Sequence, residues 1–101
     1  MSRRATYKFR LYIADEAYNS TQALANLNAM CRENLPGHHE IEIVDVFRQP
    51  KRALEDCVFM TPTLIKLAPH PVRRIVGTLS QKSIVLQTLG LPPAKTEVLA
   101  E

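Results

Sequence analysis

Apolar and polar residues alternate from Tyr7 to Ile13, with Tyr7, Phe9, Leu11 and Ile13 in one row and Lys8, Arg10 and Tyr12 in the other. A period of two with aromatic and β-branched residues predicts a strand over about residues 5–14. Asp15 to Ser20 reads as a loop, and Asn19 or Ser20 is placed to cap the helix that follows. Leu24, Leu27, Met30, Cys31 and Leu35 recur at helical spacing until Pro36-Gly37 stops the pattern. A second strand is expected over about 40–47, where the Ile43-Val44 and Val46-Phe47 pairs suggest burial on both faces. Pro50 suits a first helical position, and Ala53, Leu54, Cys57 and Val58 form a short stripe behind it. Met60 to Leu67 predicts a strand entered through Pro62, and Val72 to Gly77 an edge strand after the Pro69-His70-Pro71 bend. Ser80 can cap a last helix carrying Ile84, Val85, Leu86 and Leu89, which Gly90 and Pro92-Pro93 end.

The order β-α-β-α-β-β-α is that of a single α/β domain with a thioredoxin-like arrangement, spanning residues 1–101 with a flexible tail from about 92. Thr61-Pro62-Thr63 stands before the third strand, where such domains place a cis-proline. Their redox members carry thiols in the loop after the first strand, yet Asp15–Ser20 contains no cysteine.

Composition narrows the function further. Three glycines exclude the Gly-rich phosphate loops, and two cysteines 26 residues apart exclude both a CxxC pair and a four-cysteine zinc site. His38, His39 and His70 lack ligand spacing, so no metal and no cofactor are expected. The net charge of +3 comes from basic clusters broken by acidic pairs, which suits a solvated mixed surface rather than a nucleic-acid reader. The N-terminus has no apolar signal region, no stretch is long enough for a membrane span, and the cytoplasm is the expected compartment.

Thr6-Tyr7, Leu11-Tyr12, Asn19-Ser20, Ala23-Leu24, Ile43-Val44-Asp45-Val46, Glu55-Asp56, Thr61-Pro62-Thr63-Leu64, Pro71-Val72-Arg73-Arg74-Ile75 and Leu79-Ser80 resemble the KaiB family of circadian clock proteins. The resemblance spans about residues 6–91 and implies a non-enzymatic binding protein. KaiB proteins dock on the N-terminal ATPase ring of KaiC, compete there with the thioredoxin-like sensor domain of a histidine kinase, and time the phosphorylation cycle of KaiC. The family is metamorphic: a thioredoxin-like monomer binds KaiC, and an alternative fold forms tetramers. The resemblance implies that Pro62, Pro69 and Pro71 serve this switch. It also implies that Lys51, Arg52, Glu55 and Asp56, with Val58 behind them, face a KaiC-like ATPase. Arg73 and Arg74 alternate faces on their strand, so one is expected to be free for a partner.

The chain departs from the clock-type pattern at several positions. Glu40 and Glu42 reverse the charge where those members hold KaiA, which disfavours a KaiA-like partner. Thr88 and Gly90 replace a Gly and an Asp in the segment that refolds, so the thioredoxin-like monomer is the expected populated form and the homotetramer its alternative. Two other functions compete with a binding role. One is a monothiol redox protein using Cys57 next to Pro62, and the other a nucleic-acid module using the N-terminal arginines.

Overall fold

A computed structural model describes residues 6–15 and 17–91. Four strands, β1 (Tyr7–Ile13), β2 (His39–Asp45), β3 (Thr63–Ala68) and β4 (Arg73–Val76), form one sheet in the order β2-β1-β3-β4. Three helices, α1 (Tyr18–Asn34), α2 (Pro50–Glu55) and α3 (Lys82–Leu89), complete the expected β-α-β-α-β-β-α order. β1 and β2 run parallel, joined through α1, while β3 is antiparallel to both β1 and β4.

The period of two in β1 separates two cores. Phe9 and Leu11 point to α1 and α3, where they meet Leu27, Met30, Cys31, Leu64, Val85 and Leu89. Tyr12 points the other way, to α2, and packs with Val44, Ala53, Val58 and Ile65. Leu11 and Tyr12 are adjacent and both fully buried, which marks β1 as a strand covered on both faces.

The predicted double-sided burial of the second strand therefore belongs to β1 and β3. β2 is outermost in the sheet, Val44 alone of its residues is buried, and Ile43 is exposed. An apolar run looks the same whether a strand is central or at an edge; strand order decides.

The expected side-chain caps are also replaced. α1 begins at Tyr18, and the Ser20 hydroxyl accepts a hydrogen bond from the Ala14 backbone N–H at 3.0 Å, tying the helix back to the end of β1. α3 starts after Gln81 without a side-chain cap from Ser80. Its other end follows the pattern, because Gly90 takes φ +71°, a left-handed conformation that glycine adopts without steric cost. The proposed stripe Ala53-Leu54-Cys57-Val58 divides: Ala53 and Val58 are buried, whereas Leu54 and Cys57 are exposed. The Thr61–Pro62, Ala68–Pro69 and His70–Pro71 bonds are cis. The tail from about 92 lies outside the described residues.

Candidate functional site: helix α2 and its end of the sheet

α2 is only six residues long, too short to be stable by itself, so its position depends on what it is bonded to. Ala53 and Val58 seat it on Tyr12, Val44 and Ile65. A polar network then fixes its edges. The Tyr12 hydroxyl donates to Asp56 Oδ2 at 2.5 Å, and Arg10 reaches the same oxygen at 3.0 Å. Arg10 also bonds Glu42 at 2.8 Å, and Arg52 bonds the other Glu42 oxygen at 2.7 Å. From β4, Arg74 donates to the carbonyls of Asp56 at 2.7 Å and Cys57 at 3.2 Å, closing the C-terminal end of α2.

Charge states follow from these contacts. The hydrogen bonds from Arg52 and Arg10 hold the Glu42 carboxyl down at about 2. The Tyr12 hydrogen bond, with Arg10 beside it, holds Asp56 below the usual carboxylate range. Burial, together with the bond to Asp56, pushes the Tyr12 phenol up to about 12. The network is thus ionised and internally neutralised at neutral pH.

This sorts the residues expected to face a partner. Arg52, Asp56 and Arg74 position α2, while Lys51, Glu55 and Arg73 stand exposed. Val58 lies behind the helix. Glu42 spends its charge on Arg10 and Arg52, and Glu40 on the same edge strand is exposed.

Among the described residues, six of the nine exposed large apolar side chains lie on α2 or at its end of the sheet; Ile43, Val72 and Ile84 lie elsewhere. The register pairs Ile13 with Asp45, Tyr12 with Thr63 and Thr63 with Val76. The ends of β1, β2 and β4 and the start of β3 therefore share one end of the sheet. Tyr18, Phe47, Phe59, Met60 and Val76 are all at that end and all at least half exposed, with Phe59 at 81 %; Leu54 is 68 % exposed on α2 itself. Exposed apolar residues this concentrated are the mark of an interaction surface. Sequence reasoning missed Phe47, Leu54, Phe59 and Met60, because only the strand order shows that nothing covers them.

Cys57 stands at the C-terminal end of α2, not at a helix start, so the feature that commonly activates a cysteine is missing there. Cys31 is buried in the larger core, and burial pushes its thiol up to about 11. Among the described residues no group of three or more His, Cys, Asp and Glu could hold a metal, and no helix is long and apolar enough to cross a membrane.

The KaiB domain family model matches residues 10–91, which contain all three helices and the whole sheet except the first three residues of β1. The chain belongs to the KaiB family. It is 43 % identical over 89 residues to the circadian clock protein KaiB3 of Synechocystis, covering 88 % of this chain and 87 % of that one. It is 42 % identical over 88 residues to the circadian clock oscillator protein KaiB of Thermosynechococcus vestitus, covering 87 % and 82 %. The fold is thioredoxin-like. The solution structure of the N-terminal domain of Synechococcus elongatus SasA superposes with a TM-score of 0.67 at 16 % identity, over 89 % of each chain. Chloroplastic thioredoxin z superposes with the same TM-score at 18 % identity, over 86 % and 81 %. These two similarities concern the fold alone. KaiB relatives carry clock names, so the coarse role of this chain is that of a clock-type regulator.

Proposed function

We propose that this KaiB-family chain is a non-enzymatic, cytoplasmic regulator that binds a KaiC-like ATPase and modulates its phosphorylation and ATPase cycle. It does so as a thioredoxin-like monomer, through α2 and the apolar end of the sheet. The observation that carries this reading is the placement of exposed Phe47, Phe59 and Met60 beside a helix that carries exposed Lys51, Leu54 and Glu55 and is bonded to three strands. An apolar centre with a charged rim is the usual anatomy of a protein interface.

The test uses residues that hold nothing else. Leu54 and Glu55 are exposed and outside the anchoring network, so Leu54→Asp and Glu55→Lys leave the fold intact. Each weakens capture of a KaiC homologue, Leu54→Asp by about 30-fold if it is a central contact worth ~2 kcal/mol. Capture unchanged in both variants refutes this face. Size-exclusion chromatography at micromolar concentration tests the monomer, and a stable tetramer would overturn that part of the proposal.

A further inference from the structure

A separate cluster of charge lies at the opposite end of the sheet from α2. Lys66 of β3 and Arg73 of β4 are directly opposite each other in the antiparallel ladder. Like charges in that relation repel and destabilise the pair. Lys66 is also 97 % removed from solvent, on the side of the sheet that packs against α1 and α3. A buried ammonium facing a guanidinium calls for a carboxylate between them, and among the described residues none lines the site.

The immediate surroundings satisfy Lys66 only in part, with the face of the Tyr7 ring 5.8 Å from its ammonium. One of its three N–H donors goes to the Leu89 carbonyl at 2.8 Å, at the C-terminal end of α3. Three further carbonyls at that helix end also accept a hydrogen bond: Leu86 from the Leu91 N–H, Gln87 from the Gly90 N–H and Gly90 from the Tyr7 hydroxyl. Beside this group is a cleft of about 290 Å³ lined by Lys66, Arg73, Gln87, Thr88 and Gly90. Gly90 lies on this cleft, and a Cβ there would stand 3.9 Å from Lys66 Nζ, an ordinary contact distance.

We propose that this cleft is a binding site for a small tetrahedral oxyanion of the phosphate type, held by Lys66, Arg73 and the Thr88 hydroxyl. Two cations from adjacent strands and neutral donors from the last turn of α3 surround it from different directions, which suits a tetrahedral anion better than a planar carboxylate. Burial and the facing Arg73 push Lys66 below its ordinary value, and a bound anion relieves both effects.

The test is a titration of the full chain with inorganic phosphate at constant ionic strength, followed by backbone NMR and by thermal unfolding. The amides of Thr88, Leu89 and Gly90 are expected to shift saturably, and the unfolding midpoint to rise with phosphate as mass action requires. Arg73 is exposed and makes only a 3.5 Å bond to its neighbour's carbonyl, so Arg73→Ala keeps the fold and weakens binding about tenfold or more. Gly90→Asp supplies an internal carboxylate in a conformation that aspartate tolerates, and abolishes phosphate binding. ATP in place of phosphate separates two sources of the same chemistry: tighter binding at these amides assigns the phosphate tail of a nucleotide, equal or weaker binding assigns the free anion. A shift that does not saturate, or one that acetate reproduces equally, overturns the proposal. So does saturable binding that survives both variants.

Discussion

The contact on which the position of α2 turns is the one between Tyr12 and Asp56, and Tyr12→Phe removes it with little change of shape. Tyr12 is fully buried, so the substitution alters no surface that a partner could touch. A hydrogen bond to a charged group contributes about 1.5–3 kcal/mol. The Asp56 side chain keeps Arg10 at 3.0 Å and is 28 % accessible, so water replaces part of what is lost and the lower figure, about 1.5 kcal/mol, applies. For a domain of this size that corresponds to a fall in thermal midpoint of roughly 6–12 °C. Urea unfolding followed by far-UV circular dichroism should show the midpoint moving by about 1 M with an unchanged slope. Carboxyl NMR should at the same time show Asp56 titrating closer to its ordinary range, since its largest stabilising partner is gone. A loss below ~0.5 kcal/mol together with an unmoved Asp56 titration would refute the anchoring role given to this bond.

Two further outcomes follow from the same geometry. Glu42 is depressed to about 2 in the folded chain from an ordinary 4.5, so its contribution is present above pH 4.5 and is lost as pH falls toward 2. Its side chain is 45 % accessible, and solvent screening reduces the effect to about 1 kcal/mol, readable as the difference between wild type and Glu42→Gln in acid denaturation. A difference that persists undiminished at pH 2 would contradict it. Thiol labelling should modify exposed Cys57 at once and buried Cys31 only at the rate of unfolding; simultaneous labelling of both would show that the larger core is looser than described.

The parts of the fold visible in the sequence are those set by local periodicity. The alternation of Tyr7 to Ile13, the helical spacing from Leu24 to Leu35 and the glycine after α3 each need only neighbouring residues, and each is where it was expected. The parts that were not visible depend on residues far apart. Arg10 and Glu42 are separated by 32 positions, and Arg10 and Asp56 by 46, so nothing local announces that these residues and Arg52 balance one another's charge. Lys66 sits between Ile65 and Leu67 and reads as the polar member of an alternating strand. It is buried because both faces of β3 are covered, which only the strand order establishes. β2 fails in the opposite sense: Ile43 is apolar but exposed, and Val44 alone of its residues is buried. In the candidate site, the charged residues on α2 were legible through their resemblance to KaiB proteins, whereas the apolar ones around them were not. Their exposure is a property of the assembled sheet.

The two faces of the sheet also differ in how firmly they are closed. Among the described residues, thirteen buried side chains join α1 and α3 to the sheet, against five on the side of α2. The helix there contributes little beyond Ala53 and Val58, and the rest of its attachment is polar. Local opening of α2 therefore costs much less than opening α1. Native-state hydrogen exchange would register two levels of protection in one small domain, a lower one over residues 50–58 and the global one in β1 and α1. A partner that grips α2 would raise the lower level and leave the upper one to the sheet.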